Sequence, residues 1–297
     1  GLPLYPYQRV GAMAVTAGHN LLADGMRVGK AVSVNSRVLT PRGFVRMGSL
    51  SEGDFVIGSD GRGTAVTGVF PQGERTLWSL RLSDGCVVEA DGEHLWTVTD
   101  EHGETGVLTT SDISTRLTEG SSFTLPELSP VHYDPALYER RGVRPPQTPE
   151  SAVMRGEHAP YGDFDAVEAF QYAPVELRQG VLEGAKKNRD TQFGDGYEAR
   201  WEIRSERAVV ALVDIARSLG RVVSVVPTRN SAHRSFQVTL HHPGTARQIV
   251  GVSQKTYKSE MVCISVAAED SLFVVQDYVL THNTRTGLAV AAMRGSE

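Results

Sequence analysis

The sequence is poor in cysteine, with only Cys86 and Cys263 in 297 residues. A pair that far apart builds neither a disulfide framework nor a zinc-binding set, so each thiol is expected to be free. The plain expectation for such a residue is a small buried hydrophobe, and it is adopted for Cys86. Long apolar runs are also missing. Nothing approaches the ~18 residues that a membrane span needs. The opening Gly1-Leu2-Pro3-Leu4-Tyr5-Pro6-Tyr7 has neither the basic start nor the apolar stretch of a signal peptide. These absences set the expectation of a cytoplasmic monomer with no membrane partner. There is no basic excess either: 30 Lys and Arg stand against 35 Asp and Glu, for a net charge of −5. That balance argues against a chain that binds nucleic acid over its whole surface and leaves room for a local basic face. His241-His242 has no Cys or carboxylate at ligand spacing, so no metal site is expected. What remains is 40% hydrophobic and 22% charged, a composition able to bury a core in one large domain or two ordinary ones.

The two ends do not belong with the middle. Asn20-Leu21-Leu22-Ala23-Asp24-Gly25-Met26-Arg27-Val28-Gly29-Lys30 is an apolar run ending in a Gly-containing loop and a Lys. A phosphate-binding loop continues with Ser or Thr and a helix, because the backbone N–H groups and Lys hold phosphate while the hydroxyl holds magnesium. Here Lys30 is followed by Ala31-Val32-Ser33-Val34, and the motif breaks off. Its missing half stands at the other end, where Thr284 opens the Ala-rich stretch 284–293. Joining Lys30 to Thr284 gives Val28-Gly29-Lys30-Thr284 and then a helix. The joined loop resembles that of superfamily 2 helicases. Leu4-Tyr5-Pro6-Tyr7-Gln8-Arg9-Val10-Gly11 resembles the segment in which that family uses a Gln to read adenine. The resemblance implies ATP and magnesium as cofactors of the joined host, held by Gln8, Gly29, Lys30 and Thr284, with DNA as a partner.

Residues 31–115 and 246–283 are β-rich. Val38–Thr40 runs into a turn at Pro41-Arg42-Gly43, and Ser59-Asp60-Gly61-Arg62-Gly63 is another turn. Ala65–Phe70, Thr76–Leu82, Arg247–Val252, Met261–Val266 and Leu272–Val275 read as strands. The expected fold class is therefore mainly β. Four blocks then carry a family resemblance. Ala31 to Gly43 with Gly48 to Asp54, Asp91-Gly92-Glu93-His94-Leu95-Trp96-Thr97-Val98, Met261 to Val266 with Leu272-Phe273-Val274, and Val279-Leu280-Thr281-His282-Asn283 before Thr284 resemble, in order, the splicing blocks of inteins. That resemblance implies a Hint-type horseshoe β domain. Ala31 carries no nucleophile where most inteins have Cys or Ser. The triplet Trp96, Cys263 and Thr281 resembles that of class 3 inteins, in which an internal Cys takes over.

The implied chemistry uses no cofactor. A Cys thiolate is the strongest nucleophile among ordinary side chains. Cys263 is expected to attack the Lys30 carbonyl and cleave the Lys30–Ala31 bond. His94 is expected to protonate the departing amine, since its ring titrates near neutrality. Thr284 then takes the acyl group, and Asn283, assisted by His282, cyclises and cuts before Thr284. Trp96 is expected beside the thiol and Thr281 to support it by hydrogen bonding. The element thus acts in cis on its flanks, residues 1–30 and 284–297.

Residues 116–245 interrupt the β domain and are expected to form a smaller α+β domain. Arg140 to Pro146 reads as a loop, Leu177–Gly184 and Ser205–Leu219 as helices, and Arg221–Val226 and Ser235–Leu240 as strands. Ala173 to Ala185, followed by Trp201 to Ser205, resembles one motif of LAGLIDADG homing endonucleases. Ala185 stands where that family places a metal-binding carboxylate, and no matching first motif is evident upstream. The resemblance implies an endonuclease remnant. Lys186, Lys187 and Arg189 could meet DNA or form a solvated basic turn. Competing functions are hedgehog-like autoprocessing without ligation and DNA cleavage.

Overall fold

The computed structural model describes residues 31–140, 148–161, 167–230 and 233–283. Gln8, Gly29, Lys30, Thr284, both flanks and most of the loop at 140–146 lie outside the described residues. The chain is mainly β, as expected from its sequence. Its β strands are β1 (Val32–Ser33), β2 (Arg37–Thr40), β3 (Gly43–Arg46), β4 (Phe55–Ile57), β5 (Gly63–Leu82), β6 (Val87–Ala90), β7 (Leu95–Asp100), β8 (Thr105–Thr109) and β9 (Phe123–Thr124), and, after the interruption, β14 (Ile249–Val266), β15 (Leu272–Val275) and β16 (Val279–His282). One sheet runs β14-β1-β6-β5-β4 and closes on itself because β14 also pairs with β5. A second runs β16-β15-β2-β3 and a third β8-β7-β9. Among the described residues no helix is long and apolar enough to cross a membrane.

The scaffold is the antiparallel ribbon of β5 and β14, paired from Ile249↔Leu82 to Val266↔Val66. Ala65–Phe70 and Thr76–Leu82, read as two strands from the sequence, are parts of the single strand β5. The Pro71-Gln72-Gly73 break does not end it. Gly73 takes φ +69°, and the register shifts between Met261 and Val262, opposite this point. The bulge absorbs the proline, which cannot donate to a ladder. The turn before β5 depends on Gly61. Its φ is +74°, and a Cβ there would lie 2.2 Å from the Pro130 carbonyl oxygen, so no other residue fits.

Alternating apolar residues of these strands form one core around Val32, Val66, Leu80, Trp96, Val98, Ile264 and Phe273. A helix, α1 (Thr110–Thr118), starts from a capping box in which the Thr109 side chain accepts from the Asp112 N–H and Asp112 caps in return. It delivers Ile113 to the same core, which also takes Phe123 and Leu125. Leu128 and Val131 pack with Leu39 and Ile57. Beyond the boundary expected at 115/116, Phe123, Leu125, Leu128 and Val131 pack against residues of the β domain, while the Val131 N–H donates to the Ser218 carbonyl oxygen of α5.

The interruption contains α2 (Pro135–Arg140), α3 (Pro149–His158), α4 (Val175–Lys187), β10 (Gln192–Gly194), β11 (Tyr197–Ile203), α5 (Glu206–Ser218), β12 (Val223–Asn230) and β13 (His233–Leu240). Its sheet order is β10-β11-β13-β12, and its core is separate, built on Val181, Leu212, Ile215, Trp201 and Val238. Ser205 caps α5 by accepting from the Ala208 N–H. α3 and α4 run parallel at backbone contact. A Cβ on Gly156 would lie 2.0 Å from the Val181 carbonyl oxygen, and one on Gly184 1.9 Å from that of Val153. Sequence reading missed α3. Its signal was Gly156 with the Gly180/Gly184 pair on the facing helix.

Candidate functional site

Residues far apart in sequence meet at the two ends of the β domain's chain. β1 pairs with β14 through Val32↔Val262 and Ser33↔Met261. Continued by one residue, this register sets Ala31 across from Cys263. On its other side β1 pairs with β6 through Val32↔Ala90, and the next position sets Ala31 across from Asp91. The Asp91 N–H donates to the Ala31 carbonyl oxygen at 3.0 Å. Ala31 is fully buried and packs with Leu77 and Met261. Since side chains alternate across a strand, Ala31, Met261 and Cys263 share one face while Val32, Val262 and Ile264 fill the core on the other. Cys263 is buried, with its Sγ 3.6 Å from the Ile264 carbonyl oxygen.

A second group lies on β7 and β16. His94 is 1% exposed. Its Nε2 meets the Thr281 Oγ1 in a short hydrogen bond. Trp96 stands edge-on to the imidazole, with ring centroids 4.9 Å apart and planes at 68°. The indole N–H donates to the Thr110 hydroxyl at 2.9 Å, and Thr110 Oγ1 donates to the His94 carbonyl oxygen at 3.3 Å. Sequence reading set both Trp96 and Thr281 on the thiol. The contacts found place both on His94: the Thr281 hydroxyl bonds to its ring, and Trp96 packs against it. Thr110 was not anticipated, because a Thr starting a helix has an ordinary capping role.

The last described residues complete the site. The Asn283 N–H donates to the Ser271 carbonyl oxygen at 2.7 Å. Its side-chain Nδ2 donates to the Val266 carbonyl oxygen at 3.3 Å, while its buried Oδ1 has no hydrogen-bond partner among the described residues. His282 Nδ1 is hydrogen-bonded to the Asn283 main-chain oxygen. A donor on that oxygen stabilises negative charge developing there, which is what attack on the Asn283 carbonyl requires. Before β16 the chain makes a tight turn, Gln276–Tyr278, with Asp277 at φ 57° and Tyr278 at φ 58°. Left-handed residues other than Gly cost about 1–3 kcal/mol each and persist only when over-determined. Arg247 holds this turn, donating to the carbonyl oxygens of Asp277 at 2.8 Å and Tyr278 at 3.1 Å. Arg217 of α5 binds the Asp277 carboxylate at 2.6 Å. The interruption thus braces the strand that carries Thr281, His282 and Asn283.

Two carboxyls here are displaced upward. Burial pushes Asp91 up to about 6, against the pull of Arg75 and of the Ala31 backbone N–H. Burial likewise pushes Asp214 of α5 to about 6, against its hydrogen bond from Gln171. Burial raises the Cys86 thiol to about 12, against Arg217, so it stays protonated. In the basic turn, Lys186 is bound by Glu183 at 2.5 Å and Glu198 at 2.7 Å, and Arg189 lies 3.9 Å from Asp190. Ala185 is buried and its carbonyl oxygen accepts from the Trp201 indole at 2.9 Å, a packing role. His241 Nε2 is 2.8 Å from the Ser224 hydroxyl. Among the described residues, no group of three or more His, Cys, Asp and Glu could hold a metal ion.

No protein-family model matches the chain. The replicative DNA helicase DnaB of Mycobacterium intracellulare is 36% identical to it over 72 residues, which span 23% of this chain and 12% of that relative. Among solved structures, the Msm DnaB1 intein splicing domain bound with zinc is 15% identical, with 85% of this chain and 100% of that one covered at a TM-score of 0.38. A DnaB intein from Synechocystis is 11% identical, with 85% and 97% covered at 0.36. The DnaX mini intein from Spirulina platensis is 10% identical, with 86% and 100% covered at 0.33.

Proposed function

We propose that the chain is a self-splicing element of the class 3 intein type, built on a Hint-type β domain, that excises residues 31–283 and joins Lys30 to Thr284. The observation that carries this reading is the register of β1 on β14, Val32↔Val262 and Ser33↔Met261, which when continued by one residue brings Ala31 opposite Cys263. Ala31 offers no nucleophile, and the thiol across from it does. Cys263 attacks the Lys30 carbonyl carbon, the C–N bond to Ala31 breaks, and the N-terminal flank becomes a thioester. His94, oriented by Thr281 and Trp96, takes the thiol proton, and the departing Ala31 nitrogen takes up a proton to leave as an amine. The Thr284 hydroxyl then attacks the thioester, freeing the thiol and forming an ester. Asn283 Nδ2 attacks its own carbonyl carbon, while His282 Nδ1 stabilises the oxygen of that carbonyl. The bond to Thr284 breaks, its amine is released, and an ester-to-amide shift restores a peptide bond. Each step is an acyl transfer and needs no cofactor. After excision the Gly29-Lys30-Thr284 loop would hold ATP and magnesium, with Gln8 reading adenine and DNA as partner of a helicase-type host.

Intact mass of the purified chain after incubation in reducing buffer tests this. Wild type should yield free 31–283 and a joined peptide of the two flanks, and Cys263→Ala should yield no joined peptide. Wild type that stays whole, or a Cys263→Ala variant that still ligates, sinks the reading. Cleaved but unjoined flanks would instead indicate autoprocessing without ligation.

A further inference from the structure

The scissile nitrogen has a second neighbour. Ala31 lies between two strands: Cys263 of β14 is across from it on one side, and Asp91 at the end of β6 on the other. The Asp91 N–H donates to the Ala31 carbonyl oxygen at 3.0 Å, which locks the two backbones together. Directly opposed residues project to the same face, so the carboxyl stands on the face that Cys263 and Ala31 share. Asp91 is 2% exposed. One carboxyl oxygen is 3.4 Å from an Arg75 guanidinium nitrogen, and the other, Oδ1, is buried with no side-chain hydrogen bond among the described residues. A buried carboxyl oxygen without a partner costs free energy unless it carries a proton or has a task. We propose that Asp91 is a catalytic acid of the first step, protonating the Ala31 nitrogen as the Lys30–Ala31 bond breaks.

This rests on the splicing reading above and gives Asp91 the role that the sequence suggested for His94. The step balances. The Cys263 sulfur forms its bond to the Lys30 carbon, the C–N bond breaks, and the nitrogen takes the Asp91 proton. The thiol proton, taken by His94, returns to the Asp91 carboxylate by way of solvent. Burial raises the carboxyl to about 6, against Arg75 and the backbone N–H groups of Ala31 and Glu93, so an acid form persists near neutrality. The charged groups acting on it are Arg75 from β5 and Glu93 on its own turn. An acid that must be protonated works fully below its pKa and fades above it.

The full chain is incubated from about pH 5 to pH 8 with a small thiol, which releases residues 1–30 from the thioester. Release is compared for wild type, Asp91→Asn and Asp91→Glu, with cleavage after Asn283 followed in the same samples. Asp91→Asn should slow release by ~100-fold at pH 5, in the range of a lost general acid. The ratio of wild type to variant should shrink toward unity as pH rises past 6. Asp91→Glu should recover part of the rate, and cleavage after Asn283 should continue in both. Normal release by Asp91→Asn, a ratio independent of pH, or loss of both cleavages in both variants overturns the role of Asp91. Wild type that releases nothing overturns the splicing reading itself.

Discussion

The β domain and the domain that interrupts it both bury polar side chains, but to opposite ends. In the interruption most are taken up in packing, with Tyr138 Oη and Arg217 Nε the exceptions among the described residues. Arg178, fully buried, donates to the carbonyl oxygens of Ala173 at 2.8 Å, Ser218 at 3.1 Å and Val131, and to the Ser218 hydroxyl at 2.5 Å. Trp201 donates to the Ala185 carbonyl oxygen, and Asn188 to that of Glu157 at 2.7 Å. In the β domain, Asp91, His94, Cys263, His282 and Asn283 gather at the residues flanking the two proposed cuts. Asp91 Oδ1 and Asn283 Oδ1 remain there without hydrogen-bond partners among the described residues. Fully satisfied buried networks rigidify a fold, whereas residual capacity is costly and is retained where chemistry uses it. The two cysteines differ in place: Cys86 is a thiol held protonated by burial, while Cys263 is buried on β14, the strand that pairs with β1.

The largest expected effect tests that contrast between cysteines. Cys263→Ala should abolish thiol-released residues 1–30, while Cys86→Ala should leave the rate within about twofold and cost about 1 kcal/mol in denaturant unfolding. Equal losses of activity in both variants would erase the distinction. Next is Arg178→Ala, which removes the guanidinium from the carbonyl oxygens of Ala173 and Val131 and from the Ser218 carbonyl and hydroxyl along the seam between α4, α5 and residue 131. It should destabilise the chain by about 3 kcal/mol, read by urea titration. A cost under about 1 kcal/mol would mean that the interruption is held by apolar packing alone. Thr281→Val keeps the shape and removes the hydroxyl on His94. It should slow splicing about tenfold, the size of one lost hydrogen bond, with unfolding little changed. If stability falls and the rate does not, that hydroxyl serves the fold.

The smallest effect is a pH slope. Asp214 has its carboxyl raised from the ordinary range to about 6 in the fold. Between those values the folded chain binds more protons than the unfolded one, so this group lowers stability as pH rises from about 4 through 6. Asp214→Asn should remove that decline, gaining most in melting temperature over wild type at pH 7 and least at pH 4. An unchanged slope would show that the interface charge around α5 does not titrate in this window.

Much of the site could be read from the sequence. Cys263, His282 and Asn283 stood out only through the ordered blocks in which they sit, since each alone reads as an ordinary structural residue. Asp91 could not, because a carboxylate before Gly92-Glu93 looks like any surface turn. Trp96 and Thr281 were visible as residues but not as partners of His94, since β7 and β16 are joined only through the folded core. The missed helix α3 is ten residues starting at a proline, too short for its periodicity to register. Phe123, Leu125 and Val131 show no strand pattern in sequence, yet each is buried against residues of the β domain.

By itself the sequence determined the inventory: strand-forming runs with turns between them, one nucleophile in a β strand, an Asn with a neighbouring His, and an inert Ala where the chain is interrupted. Only the tertiary structure decided what Ala31 faces. That depends on strand register, where a slip of one residue turns every side chain to the opposite face. Here β1 is held in register on both sides, by Val32↔Val262 and Ser33↔Met261 on β14 and by Val32↔Ala90 on β6.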